Sequence, residues 1–358
     1  MPVLLNSTYL GHNRAAHTNQ LRDKPTTAFQ ERPDKCITIG LINNMPDAAL
    51  EATERQFISL LDSASAGIQI RLSFYALPTI HRNDSGARHV RNFYSGVENL
   101  WGNSLDGLIV TGREPLTPDL RDEPYWEDFA EVLEWAKDNT HSTIWSCLAA
   151  HAALLHMDGI DRIKGNNKYC GVFECARLSD HPLTTKAPSS FRLPHSRWNS
   201  IPEDVLTSCG YSVLTRSADA GVDTFVKQHK SLFVFFQGHP EYESNTLLVE
   251  YRRDVGRYLR GETNVYPLMP QSYFDHETAT ALTALQNKAM LHPHKDLLSQ
   301  VSTTLEKSRI ENTWDSTATC IYRNWLEYIC SRKQLQLEGG PLPCQAQPLA
   351  SPHQRLSF

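Results

Sequence analysis

Apolar residues in this chain fall into short runs that switch between strand and helix periods. Cys36 to Asn44 is a nearly continuous apolar run closed by two asparagines and Pro46, the pattern of a strand buried on both faces. Ala49, Ala52, Phe57, Leu60 and Leu61 then return at helical spacing between charged residues over 48–61. Ile68 to Phe74 alternates as a strand does, and Asp106 to Gly112 is a second buried run ending in a glycine turn. Trp126, Phe129, Val132, Leu133 and Trp135 mark an amphipathic helix over 124–137. Ser142 to Ser146 is one more short β-prone run, and a small-residue, helix-favouring run follows it at once.

This alternation predicts an α/β fold: three layers, a mostly parallel central sheet and helices on both faces. In such sheets the working groups gather beyond the C-terminal strand ends. Asn43, Asn44, Thr111, Cys147 and His239 all fall there. After about residue 168 the pattern turns mixed. Gly171–Cys175 reads as a strand, while Tyr211–Ser217, Asp223–Lys227 and Ser231–Gln237 read as antiparallel strands joined by short turns. Helices are expected over 243–260, 277–289 and 317–331. The expected organisation is a loosely ordered N-terminal arm (1–35), one α/β domain with C-terminal helices and antiparallel additions (36–335), and a disordered tail rich in Pro, Gln and Ser (336–358).

Composition narrows the function classes. With 358 residues, 40% of them hydrophobic, the chain can bury a sizeable core. A net charge of −5 without a basic stripe speaks against nucleic acid as a partner. No apolar run approaches the roughly 20 residues a bilayer crossing needs, and the N-terminus lacks the pattern of a secretory signal. Eight cysteines without a C-x-x-C pair argue against a zinc or redox motif, and the length argues against a disulfide scaffold. The expected setting is the reducing cytoplasm, with no membrane and no metal.

The candidate chemistry centres on Cys147. It sits where a strand stops and a helix starts, and unpaired N–H groups and the positive end of the helix dipole there favour a thiolate. His239 closes a second apolar strand, Ser231 to Gln237, and Glu241 stands two residues beyond it. A nucleophile, a base and a carboxylate to orient the base form the cysteine version of the catalytic triad. Cys147 alone could equally be a packed core thiol; placement and partners favour the nucleophile. His151, His195, Cys170 and Cys175 read as structural.

Ordered landmarks along the chain resemble the homoserine O-acyltransferase family of the succinyltransferase type, whose fold is related to class I glutamine amidotransferases. They are Gly40–Pro46, Thr53–Phe57, Asp106–Gly112, Tyr125-Trp126, Trp135–Lys137, the Cys147 elbow, Lys168–Glu174, Pro194–Arg197, Gly238–Tyr242, Glu250–Asp254 and Asn324–Leu326. The resemblance runs from about Ile37 to Tyr328. It implies transfer of an acyl group from acyl-CoA to the homoserine hydroxyl, in methionine biosynthesis. Cys147 would carry an acyl thioester, His239 would accept the proton and Glu241 would orient it. Lys168, Ser196 and Arg253 match residues that hold the amino acid. Glu250, three residues before Arg253 on one helical face, is close enough to hold the ammonium. The substrates implied are homoserine and succinyl-CoA or acetyl-CoA, with no permanently bound cofactor; a homodimer is left open.

Three departures bear on the site. Ala149 stands where the family usually keeps a glycine. Asp47-Ala48-Ala49 replaces a stretch in which the family commonly carries a lysine beside the oxyanion. The oxyanion hole is then expected from the N–H of Leu148 and of the Asn43–Met45 loop. The loop that helps select the donor reads Arg113-Glu114-Pro115-Leu116-Thr117, with Leu116 or Thr117 at the selecting position and Arg113 available to a succinyl carboxylate. The competing readings are transfer to serine or another hydroxy amino acid, glutamine hydrolysis on the same fold, and a non-catalytic relative.

Overall fold

The structure, a computed structural model, describes residues 3–5 and 36–339. Its first half comprises β1 (Val3–Leu5), β2 (Cys36–Ile42), α1 (Leu50–Ala64), β3 (Gln69–Ala76), α2 (Asp84–Phe93), β4 (Ser95–Gly96), β5 (Gly107–Val110), α3 (Trp126–Asn139), β6 (Ser142–Ser146) and α4 (Leu148–Asp158). The second half comprises β7 (Ile163–Arg177), β8 (Ser190–Ser200), α5 (Glu203–Ser208), β9 (Ser212–Val213), β10 (Thr215–Ser217), β11 (Gly221–Val222), β12 (Thr224–Gln228) and β13 (Leu232–Phe236). Four helices follow: α6 (Thr246–Leu259), α7 (His276–Leu291), α8 (Leu297–Glu306) and α9 (Asp315–Leu337).

The main sheet runs β1-β3-β2-β5-β6-β13-β12-β9, with β4 added beside β3. Pairing is parallel from β1 to β13 and antiparallel from there to β9. A second, antiparallel sheet has the order β11-β10-β7-β8. The fold is therefore α/β with a mostly parallel sheet, as the alternating pattern predicts. Two expectations need correction. Ser231–Gln237 is antiparallel to β12, but its other neighbour is β6, to which it is parallel. Its core, Leu-Phe-Val-Phe-Phe, is buried on both faces and belongs at a sheet centre. Tyr211–Ser217 divides into β9 in the main sheet and β10 in the second. Leu214 bridges them, donating to the Thr224 carbonyl and accepting from Leu178 N–H, each at 2.8 Å.

Val3–Leu5, within the stretch read as an arm, adds to the outer edge of β3. The rest of that arm and, from residue 340, the expected tail lie outside the described residues; α9 continues through Leu337. Helices cover both faces of the main sheet. On one side Phe57 and Leu61 of α1 and Trp325 and Ile329 of α9 pack over Ile39 and Leu41. On the other, Phe129 and Leu133 of α3 and Ala153 of α4 pack over Leu108, Val110 and Trp145. Trp325 Nε1 also donates to Ser142 Oγ at 2.9 Å, pinning α9 to a central strand. Among the described residues, no helix is long and apolar enough to cross a membrane.

Candidate active site

Ser146 and Phe236 are register partners in the parallel β6–β13 pair, so the chain leaves both strands at the same edge. Cys147 is the next residue after β6 and heads α4. Its backbone is left-handed, φ 52° and ψ −113°, a conformation costing a non-glycine residue about 1–3 kcal/mol. Hydrogen bonds hold it: Cys147 N–H donates to the Phe236 carbonyl at 2.7 Å, and the Cys147 carbonyl accepts from Ala150 N–H at 3.0 Å. This has the form of a nucleophile elbow, a sharp strand-to-helix turn that presents its side chain at the sheet rim. Leu148 through Leu155 are all buried, so α4 is packed on every side and cannot relax the turn. Ala149 fits there, itself buried.

His239 leaves β13 through Gln237 and Gly238. Gln237 N–H donates to the Asp223 carbonyl at 2.9 Å, and His239 N–H to the Pro194 carbonyl at 2.8 Å. Gly238 N–H donates to Asp223 Oδ1 at 3.1 Å. A Cβ at Gly238 would sit 2.6 Å from that same oxygen, so the turn requires glycine. The imidazole lies within electrostatic reach of the Cys147 side chain, and its Nδ1 lies 2.8 Å from Glu241 Oε1. His239 and Glu241 are both buried. Burial alone would depress the imidazole. The charges of Glu241 and Cys147 and the hydrogen bond to Glu241 override it and hold His239 well above its ordinary 6.5.

The residues expected at the amino acid form a second cluster beside this one. Ser196 stands opposite Cys170 in the β7–β8 pair, and its Oγ donates to Glu250 Oε2. Lys168 Nζ lies 3.2 Å from Asp254 Oδ2 and 3.6 Å from Glu250 Oε2. Burial disfavours that ammonium, but Glu250, Cys170 and Asp254 together keep its pKa raised. Arg253 is half-exposed, and its Nε and Nη2 both engage Asp254 Oδ1 at 2.8 Å. The fork expected for a substrate carboxylate is thus held by a neighbouring side chain. Sequence reasoning passed over Asp254, and also Tyr242, whose hydroxyl donates to Glu250 Oε1 at 2.6 Å. Tyr242 lies one residue past Glu241, a spacing that could have drawn attention to it.

The oxyanion expectation is half altered. Leu148 N–H heads α4, where no intrahelical carbonyl is available to it. The loop donors, however, are spent: Asn43 N–H on the Tyr75 carbonyl (3.2 Å), Asn44 N–H on Thr111 Oγ1 (2.8 Å) and Met45 N–H on Asn43 Oδ1 (3.2 Å). The loop folds inward because asparagine side chains compete for its own backbone. Near Asp47 the cation is Arg82, from the start of the α2 region. Its Nη1 donates to the Met45 carbonyl and, at 3.2 Å, to Asp47 Oδ1; its Nη2 donates to the Asn43 carbonyl at 3.1 Å. In the donor loop, Leu116 N–H, Thr117 N–H and Thr117 Oγ1 all donate to Glu123 Oε1, and the Leu116 side chain is exposed. Arg113 instead lines a small cavity with Gly112, Leu148 and Ala149, and its Nε is buried without a hydrogen-bond partner. A Cβ at Gly112 would lie 2.6 Å from Leu148 N, so this loop abuts the head of α4 directly.

One group of metal-capable side chains occurs among the described residues. Cys175, His195 and Asp223 bring their ligand atoms within 4.8 Å of one another, all fully buried. Most of their polar atoms are already engaged, although His195 Nε2 has no hydrogen-bond partner. Arg197 Nε donates to His195 Nδ1 at 3.3 Å, which leaves the imidazole proton on Nε2, facing Asp223 Oδ1 at 3.4 Å. Asp223 also accepts from Thr215 and Thr224 hydroxyls. Burial, then the charges of Arg197 and His239, keep His195 well below its ordinary range. These residues brace the His239 turn rather than offering lone pairs to an ion.

A family model described as homoserine O-succinyltransferase matches residues 24–335. The homoserine O-succinyltransferase of Rhodopseudomonas palustris is 43% identical over 297 residues, covering 83% of this chain and 89% of the relative. That of Bradyrhizobium japonicum is 44% identical over 295 residues, covering 82% and 90%. Among solved structures, a glutamine amido transferase from Methylobacillus flagellatus aligns over 82% of this chain and 95% of its own, with TM-score 0.45 and 15% identity. With identity above 40% across most of both lengths and a family match over nearly the whole described domain, the chain belongs to the homoserine O-succinyltransferase family of acyl-transferring enzymes.

Proposed function

We propose that this protein moves a succinyl group from succinyl-CoA to the side-chain hydroxyl of homoserine through an acyl thioester on Cys147, a step of methionine biosynthesis. The observation that carries the reading is Cys147 on its strained elbow, within electrostatic reach of a buried His239 that is itself bound to Glu241 at 2.8 Å. In the first half-reaction Cys147, its proton on His239, attacks the thioester carbonyl. The carbonyl–sulfur bond to coenzyme A breaks, and the leaving thiolate takes the proton from His239. In the second, the homoserine hydroxyl attacks the acyl-Cys147 carbonyl while His239 accepts its proton, and the acyl–Cys147 bond breaks. General base catalysis of this kind contributes about 10²–10⁴-fold. Leu148 N–H faces the developing oxyanion, a donor typically worth about 10²–10³-fold.

Homoserine is held by opposite charges. Glu250, already accepting from Ser196 and Tyr242, takes the ammonium. Lys168 and Arg253 serve the carboxylate once it competes with Asp254 for them. The succinyl choice rests on Arg113, a guanidinium beside Leu148 with a buried, unpartnered Nε suited to a carboxylate. A thiol-release assay crossing succinyl-CoA and acetyl-CoA with homoserine and serine tests the reading. Succinyl-CoA with homoserine should turn over fastest. A preference for acetyl-CoA or serine, or glutamine hydrolysis without thiol release, would overturn it.

A further inference from the structure

One buried side chain touches both halves of this site. The Tyr242 ring stacks on the His239 imidazole, with centroids 4.2 Å apart and planes 16° apart. Its hydroxyl donates to Glu250 Oε1 at 2.6 Å, while Ser196 holds the other oxygen of that carboxylate. The main chain of Tyr242 is fixed as well. Its N–H donates to the His239 carbonyl at 3.2 Å, and its carbonyl accepts from Trp314 Nε1 at 2.8 Å. Trp314 is fully buried at the start of α9, so the tyrosine cannot follow a moving substrate. Burial, and then the charge of Glu250, keep the phenol protonated as a donor.

We propose that Tyr242 is a positioning residue with two separable tasks: its ring sets the plane of His239, and its hydroxyl aims Glu250 at the acceptor's ammonium. This rests on the acyl-transfer reading above. The consequence is that the acceptor's hydroxyl and ammonium are placed relative to one another by a single rigid side chain. Without the hydroxyl, Glu250 keeps Ser196 as its hydrogen-bond donor, and Lys168, 3.6 Å away, would draw it from the acceptor. Without the ring, the imidazole loses its flat support and can rotate away from Cys147.

The two half-reactions separate these tasks. With Tyr242→Phe, acylation of Cys147 by succinyl-CoA, followed as thiol release without acceptor, should keep its rate within about twofold. The KM for homoserine should rise about 10- to 100-fold, the usual worth of a hydrogen bond to a charged group. With Tyr242→Leu, acylation itself should slow, and the pH profile of Cys147 alkylation should shift. Circular dichroism and the wild-type melting temperature serve as the folding check on Tyr242→Phe. Equal losses in both half-reactions, or an unchanged homoserine KM, in folded Tyr242→Phe would overturn the proposal. A wild-type protein that is acylated but never passes the group to homoserine would instead overturn the functional reading beneath it.

Discussion

Cys147 donates its backbone N–H to the carbonyl of Phe236 at 2.7 Å, so the proposed nucleophile's own residue closes the hydrogen-bond ladder between β6 and β13. His239 follows three residues after Phe236. The approach of sulfur to imidazole is therefore set by the register of two central strands, with little left to loop closure. The elbow then carries a measurable strain. Replacing Cys147 by glycine relieves the left-handed backbone, whereas alanine keeps it. Cys147→Gly should be more stable than Cys147→Ala by about 1 kcal/mol, read from urea midpoints, with both inactive. The opposite order would mean that the elbow stores no strain.

Glu241→Gln tests the electrostatics of the base. A histidine whose folded pKa lies above its unfolded value adds stability that is complete below about pH 6.5 and fades as pH rises through the folded value. His239 is of this kind, since Glu241 and Cys147 outweigh its burial. Removing the Glu241 charge leaves burial opposed by Cys147 alone and reduces the contribution. The stability gap between wild type and Glu241→Gln should be widest near pH 6 and shrink as the pH rises through the folded value in urea melts. A gap that widens with pH would contradict the assignment.

Arg113→Ala should cost about 10- to 100-fold in kcat/KM for succinyl-CoA and far less for acetyl-CoA. The ratio of the two constants is the measurement. Equal losses with both donors would remove Arg113 from the recognition of the succinyl carboxylate.

Arg82 holds two carbonyls and one carboxylate around the Asn43–Met45 loop, with its side chain only 7% exposed. Arg82→Met should destabilise the fold by about 1–3 kcal/mol through the acceptors left behind, and it should lower kcat by loosening the loop that carries Asn44 against Thr111. Asp47→Asn should have a smaller effect, because it removes one of three contacts. Thermal unfolding and initial rates of the two variants decide the order.

The parts of the fold that were legible in the sequence are those where burial imposes a period. The runs Cys36–Ile42 and Gly107–Val110 are mostly apolar because they lie at the sheet centre, and the elbow at Cys147 follows from the short β-prone run Ser142–Ser146 meeting a helix with no linker. α2 was not legible: Gly86 is its one buried residue, so it has no apolar stripe, and it is held at its start by Asn83 accepting from Gly86 N–H. β8 was hidden because seven of its eleven residues are polar, Ser196 and Arg197 among them. At the site, sequence spacing brought out Cys147, His239 and Glu241, which share a sheet rim. It could not bring out Arg82 beside Asp47 or Arg197 beside His195, where the partner is chosen by tertiary packing or by a strand's own register. The spent N–H groups of Asn43–Met45 escaped for the same reason: their acceptors include Tyr75 on β3 and Thr111 just past β5.

The most direct measurement is the intact mass of the protein after mixing with succinyl-CoA in the absence of any acceptor. A single added succinyl group that maps to Cys147, is removed by hydroxylamine and is discharged by homoserine is the predicted result. Wild-type protein that turns over both substrates while its mass never changes, or a Cys147→Ala variant that keeps full rate, would contradict catalysis through this sulfur.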